Sequence, residues 1–342
     1  MAKNKIYKLI NLHGVQIEFL ALGGKIISWK VPEKNGITDI VVGYDYPADY
    51  FTEDEYVGAL CGRYANRIKN GRVNIDGKTF QLSQNTPPHH LHGGNEGFHK
   101  KLWKIKPVES SKGQSFELRL FSPDGEEGYP GNLKTTVIYT LTDNNEFIID
   151  LKAVTDKPTI VNLTSHSYFN LNGTGKENVS DHFLQIFADR YTPLDKESIT
   201  TGEMASVENT PLDFRQPKLL SESLRSNFPQ IKSKGGIDLN WVLNRYSHEL
   251  SKAVMLHSKQ TGITLEIWTT QPGLQVYTGQ HFPGKGKGKS GYSLQPFCGV
   301  ALETQGIPDA PNKPHFPNSF LYPGEVYHQK IIYKFYSDGK LF

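Results

Sequence analysis

Sulfur is scarce: the 342-residue chain has two cysteines and three methionines. Two thiols, Cys61 and Cys298, do not make a disulfide framework, so a reduced, cytoplasmic setting is the expectation. No run approaches the ~20 apolar residues that a membrane-spanning helix needs. The opening Met1-Ala2-Lys3-Asn4-Lys5-Ile6-Tyr7-Lys8 has charge but no apolar stretch behind it, and no secretory signal is read there. Neither sign of charge dominates. Lys and Arg total 38 against 35 Asp and Glu, a net +3 with histidines neutral. The basic excess by which nucleic-acid binders are recognised is therefore missing, and neither nucleic acid nor membrane is expected as a partner. Long Ala/Leu/Glu/Lys stretches are also absent, which disfavours helical layers and a βαβ architecture.

What is abundant is turn formers and aromatics: 32 Gly, 20 Pro, 17 Tyr and 18 Phe. That mixture favours many short strands joined by tight turns. Strand-like runs are read at 15–19, 25–29, 116–121, 133–142, 147–154, 160–163, 253–258, 262–269, 274–278 and 329–336. Between Val73 and Leu82, Asp76-Gly77 predicts a type I′ hairpin, because both central residues of that turn need positive φ. Asp143-Asn144-Asn145 is a second hairpin signal. Helical candidates are short: 48–56, and 217–227 with Leu219, Leu220 and Leu224. The Gly/Lys tract 284–291 reads as a flexible, exposed loop, since no Walker spacing precedes a helix there. The expected architecture is all-β, one large antiparallel β-sandwich domain spanning 1–342 with few short helices.

Chemistry-bearing residues concentrate in a handful of segments. In Gly62-Arg63-Tyr64-Ala65-Asn66-Arg67-Ile68, Arg67 offers a fork of donors and Asn66 both a donor and an acceptor for hydroxyl groups. The plainer alternative is a pair of surface arginines at a strand end. His89-His90-Leu91-His92-Gly93-Gly94 places His90 and His92 on one face if the backbone is extended. With Glu96 these make His-x-His-x3-Glu, which resembles part of a cupin metal motif, although its bracketing glycines are replaced by Gln84 and Trp103. His166 lies among Thr164, Ser165, Ser167, Tyr168 and Asn170, which suits either a catalytic acid or a buried histidine satisfied by its neighbours. Asp238 in Gly236-Ile237-Asp238-Leu239-Asn240-Trp241 is a sugar-type acceptor beside an aromatic, or a turn aspartate. Glu303 ends the apolar run 300–302, where partial desolvation would raise its pKa toward that of a useful base, unless it is a solvated strand end.

Taken together and in this order, these segments resemble the aldose 1-epimerase (galactose mutarotase) family. The resemblance rests on Gly-Arg-Tyr-Ala-Asn-Arg-Ile at 62–68, Leu-His-Gly-Gly at 91–94 and the Asn162 to Leu171 block. Gly236 to Asn240 and the stretch from Leu302 to Asn312 complete it, and it runs from about Ala21 to Glu325. It implies a large antiparallel β-sandwich with an open sugar cleft and a free aldose such as galactose or glucose as substrate. It implies no metal and no cofactor. Carried over, Glu303 is the general base, His166 the general acid and His92 a second imidazole at the reacting end. Arg67, Asn66, Asp238 and Gln275 become hydroxyl ligands, and Tyr277, two residues beyond Gln275 on the same strand face, joins them. Gln280 stands where relatives often have Asn. Rival readings at this point are a maltose or other disaccharide epimerase of the same family, a glycosidase using Glu303 and Asp238, the cupin-like metalloenzyme, and a non-catalytic carbohydrate-binding sandwich.

Overall fold

The computed structural model describes residues 5–34, 36–52, 55–175, 178–244, 249–284 and 288–337. The expected all-β architecture is what it shows, and every strand pairing between its elements is antiparallel. A nine-stranded sheet runs in the order Lys104–Val108, Gly113–Ser122, Leu133–Thr142, Glu146–Thr155, Tyr327–Tyr336, Thr264–Thr269, Ser251–His257, Phe183–Ile186, Lys218–Leu219. A six-stranded sheet runs Tyr168–Phe169, Val300–Gln305, Gly273–Tyr277, Asp238–Val242, Arg190–Thr192, Ala205–Ser206. Near the N-terminus a four-stranded sheet is built from Ile6–Ile10, Gln16–Leu20, Ile26–Glu33 and Gly36–Asp39.

Side-chain alternation explains the layering. Inward residues such as Val137, Tyr139, Phe147, Ile149, Ile331 and Tyr333 on the nine-stranded sheet share one core with Leu239, Trp241, Leu274, Val276, Val300 and Leu302 on the six-stranded sheet. Trp29 joins them from the N-terminal sheet, its ring edge-on to Phe147, Phe169, Tyr333 and Phe335. Each fully buried Leu, Ile or Val there contributes about 1.5–3 kcal/mol. The Asp76-Gly77 hairpin forms as expected: Arg72–Ile75 pairs with Lys78–Gln81, and the turn residues have φ 49 and 80. No helix among the described residues is long and apolar enough to cross a membrane.

Several local expectations need correction. The run 160–163 is not one strand. Thr159–Ile160 and Thr164–Ser165 are two-residue strands pairing with different partners, and Asn162 bridges Tyr64 between them. The helix read at 48–56 is a 3-10 turn at Pro47–Phe51; Glu53 and Asp54 lie outside the described residues. The helix read at 217–227 narrows to Leu220–Leu224. In the 284–291 tract, Lys285 and Lys287 lie outside the described residues, but Lys289 is buried. Its ammonium sits 3.0 Å from Asp39 Oδ2 and donates to Val41 O at 2.7 Å. An ammonium satisfied by a carboxylate and a carbonyl can be withdrawn from water, so this end of the tract is an anchor and not a solvated loop.

Candidate active site

The face of the six-stranded sheet turned away from the shared core is polar. Register places Asn240, Gln275 and Glu303 in one row across adjacent strands, and Asp238, Tyr277 and Ala301 in the next. Because side chains alternate, all of these project to the same side. Gln275 Nε2 donates to Asp238 Oδ1 at 2.7 Å, which fixes the carboxylate with an oxygen turned toward Arg67, whose Nη1 lies 4.0 Å from Asp238 Oδ2.

Opposite this wall stand loop residues. Arg67–Ile68 pairs with His90–Leu91, which brings Asn66 and His92 side by side. The Asn66 N–H donates to His92 Nδ1 at 3.2 Å. A backbone N–H has no alternative role, so Nδ1 is an acceptor, and the neutral ring carries its proton on Nε2. Tyr56, Asn66 and His92 all have left-handed backbones, with φ of 57, 67 and 48. Asn tolerates that region, whereas for Tyr and His it costs about 1–3 kcal/mol, and such strain clusters at functional sites. A cavity of about 210 Å³ lies between the walls, lined by Glu55, Tyr56, Asn66, Arg67, Leu91, His92, His166, Tyr168, Asp238, Gln275, Tyr277, His281 and Glu303.

At its floor, His166 Nε2 lies 3.4 Å from Glu303 Oε1. Both are almost fully buried. Desolvation holds the His166 imidazole down to about 4 and pushes the Glu303 carboxyl well above its usual range; Asp238 adds to the rise and Arg67 opposes it. Burial also keeps His92 well below 6.5, reinforced by His166 and Arg67. Both charged extremes of the pair, imidazolium with carboxylic acid and imidazole with carboxylate, are thus disfavoured. What burial favours is a pair that holds one proton between two atoms in near contact.

Every site residue expected from the sequence lines this cavity: Glu303, His166, His92, Arg67, Asn66, Asp238, Gln275 and Tyr277. The cupin-like set does not assemble. His92's left-handed backbone breaks the alternation that would align it with His90. His90 instead contacts Ser83 O at 2.6 Å and Tyr129 Oη at 2.5 Å, while Glu96 is exposed. Among the described residues, His92, His166 and Glu303 do have donor atoms within 4.8 Å of one another. They do not fit a metal ion as they stand, since His92 Nδ1 is occupied by the Asn66 N–H and its Nε2 would have to give up a proton to ligate. Arg63, the other arginine of its segment, is neither at the surface nor in the cavity. Its guanidinium donates to Ser122 Oγ and to the carbonyls of Ser122, Pro123, Pro130 and Gly131. Gln280 accepts from Thr278 Oγ1 at 2.8 Å and donates to Lys234 O at 3.4 Å, bracing a turn beside the cleft. Sequence reasoning missed Glu55, Tyr56 and His281, which reach the cavity from loops with no local signature.

A buried imidazole–carboxyl pair in near contact, beneath a ring of polar side chains suited to hydroxyl groups on a β-sandwich, defines an acid–base site for a polyhydroxylated ligand. The comparisons are specific. A family model described as aldose 1-epimerase matches residues 5–334. Galactose mutarotase of Bos taurus is 42% identical over 322 residues, 94% of this chain and 91% of that protein. Aldose 1-epimerase of Escherichia coli K12 is 37% identical over 339 residues, 97% and 96% respectively. The crystal structure of an aldose epimerase homologue from C. elegans superposes with a TM-score of 0.89 at 32% identity, covering 97% of this chain and 99% of that one. Galactose 1-epimerase from Lactobacillus acidophilus gives 0.85 at 30%, covering 97% and 94%. The chain belongs to the aldose 1-epimerase family.

Proposed function

We propose that the protein is a mutarotase that interconverts the α and β anomers of free aldoses such as galactose and glucose. The observation that carries this reading is the His166–Glu303 pair, buried 3.4 Å apart under hydroxyl-binding residues. Opening a cyclic hemiacetal requires a base at the C1 hydroxyl and an acid at the ring oxygen. With the proton on His166, the Glu303 carboxylate takes the hydrogen of the C1 hydroxyl while the imidazolium protonates the ring oxygen. The C1–O5 bond breaks and C1 becomes an aldehyde. The pair is left as imidazole and carboxylic acid, the combination that burial favours, so the environment stabilises the ring-opened stage. Rotation about C1–C2 presents the other carbonyl face, and the same transfers in reverse close the ring. Each is worth about 10²–10⁴-fold. His92, with Nε2–H as its donor, serves an oxygen at the reacting end, while Arg67, Asn66, Asp238, Gln275 and Tyr277 hold the remaining hydroxyls.

The names of the relatives, galactose mutarotase and aldose 1-epimerase, support the same chemistry. A glycosidase reading is weaker, because Asp238 is held by the Gln275 amide and faces Arg67, and the reading leaves His166 beside Glu303 without a role. The two free cysteines favour a reducing, cytoplasmic compartment. The test is polarimetry of freshly dissolved α-D-galactose and α-D-glucose with catalytic protein in chelator-containing buffer. Faster decay to an unchanged final rotation is expected. No acceleration, with sugar binding retained in calorimetry, would leave a carbohydrate-binding sandwich instead.

A further inference from the structure

His166 presents an unusual orientation problem. Its Nε2 faces Glu303, but its Nδ1 is buried and no other described residue gives it a hydrogen bond. An acid–base histidine is ordinarily oriented by a hydrogen bond to its second ring nitrogen. Here that role falls to packing. The ring is bounded by Tyr168 (centroids 4.9 Å apart), by His92 edge-on (5.2 Å) and by Tyr56, nearly parallel at 5.9 Å and 28°.

Tyr56 differs from the others in how it gets there. It contacts His92 at 4.7 Å and His99 at 4.5 Å as well as His166. Its backbone is left-handed. The turn it opens is closed by Ala59 N donating to Tyr56 O, with Gly58 N donating to His166 O and Ile26 N to Gly58 O. A side chain added at Gly58 would meet Ile26 O at 2.1 Å, so the turn is pressed against the neighbouring strand. Asn85 binds both backbone groups of Leu91, the residue before His92, at 2.8 and 2.9 Å, and reaches Tyr56 Oη at 3.5 Å. The ring and the His92 segment are thereby referenced to one side chain.

We propose that Tyr56 is a positioning residue for the reaction: its ring, set by a left-handed backbone, fixes the orientation of the His166 and His92 imidazoles by stacking in place of a hydrogen bond to His166 Nδ1. This rests on the acid–base reading of the site. The groups facing His166 are Glu303, His92, Asp238, Tyr168 and Tyr56, with His99 beyond Tyr56 and Arg67 beside His92. Of these, Tyr56 comes from a segment that belongs to neither the sheet wall nor the His92 strand.

The test compares Tyr56→Leu and Tyr56→Phe with the unaltered protein, by polarimetry and by ¹⁵N imidazole NMR of the histidines between pH 3 and 8. Loss of orientation is expected to lower kcat about 100-fold in Tyr56→Leu with KM changed less than ~3-fold, since a misplacement of about 1 Å has that cost. The acid limb of kcat/KM and the NMR titration of His166 should both move up from near 4 as water reaches the ring. Tyr56→Phe, which keeps the ring, should recover kcat to within ~3-fold. The proposal is overturned if Tyr56→Leu leaves both titrations in place, or if Tyr56→Phe is as damaged as Tyr56→Leu. Should the leucine variant not fold, Tyr56→Met replaces it, and failure of both to fold assigns Tyr56 to stability alone. The NMR arm needs no turnover. An inactive wild-type protein whose His166 still responds to Tyr56→Leu would sink the mutarotase reading and keep the positioning claim.

Discussion

The strands Asp238–Val242, Gly273–Tyr277 and Val300–Gln305 have two faces that are chemically opposite, one sealed in the core and one opening onto a cleft. One carries Leu239, Trp241, Leu274, Val276, Val300 and Leu302 into the shared core. The other carries Asp238, Asn240, Gln275, Tyr277, Glu303 and Gln305. Leu302 and Glu303 are neighbours in sequence, and each is 1% exposed. Burying the leucine stabilises the fold by about 1.5–3 kcal/mol. Burying the glutamate penalises its charged form and leaves Oε2 without a hydrogen-bond partner among the described residues. A strand period of two thus lets one element serve as scaffold on one side and reactive site on the other, with the apolar face supporting the polar face.

The sharpest way to break this contrast is Glu303→Gln. Its expected effect is a fall in kcat of about 10³-fold with KM nearly unchanged, because the base is removed and the shape kept. Stability should move the other way. In the folded protein the Glu303 pKa lies above its unfolded value, so above pH ~4.5 unfolding releases a proton and the wild-type protein loses stability as pH rises. The Gln variant escapes this. Its Tm should match wild type near pH 4 and exceed it increasingly toward alkaline pH, which a calorimetric pH series would check. Leu302→Ala should show the reverse pattern, a loss of about 2–5 kcal/mol in denaturant unfolding, with kcat of the folded fraction within ~10-fold. Asp238→Asn touches the rim of the polar face and should raise KM about 10-fold while sparing kcat, as expected for a ligand felt equally in ground and transition states. Prolonged chelation should change no rate; loss of activity with recovery on adding a metal would assign the His92, His166 and Glu303 cluster to an ion after all.

The same two faces explain what could be read in advance. The core face is legible because alternation and turn chemistry are local: Asp76-Gly77 announces its hairpin, and Leu133–Thr142 emerges with its expected bounds. Glu303 is legible because it ends an apolar run, and Gln275 only through the family resemblance; the register that sets them opposite each other is visible in the structure alone. Reading failed where a left-handed residue breaks periodicity. His90 and His92 looked like a pair, but φ 48 at His92 sends the two rings to different clusters. Tyr56 looked like the end of a helix and is instead a turn residue packed on histidines distant in sequence. The sequence reading offers Arg67 for hydroxyl groups and leaves Arg63 as a surface arginine at most; only tertiary structure shows Arg63 buried on carbonyl groups. Lys289 shows the same limit, since nothing near it in sequence announces Asp39 as its partner.

The measurement that bears most directly on the central claim is the pH profile of wild-type kcat/KM for α-D-galactose by polarimetry, corrected for spontaneous mutarotation. If one proton shared by His166 and Glu303 drives ring opening, activity requires the singly protonated pair. Desolvation widens the range of pH over which that state persists. The profile should be a broad plateau with its acid limb near pH 4 and its alkaline limb far above the ordinary carboxylate range. An acid limb near 6.5, the value of an unburied imidazole, would contradict the account and move the chemistry to a solvated group.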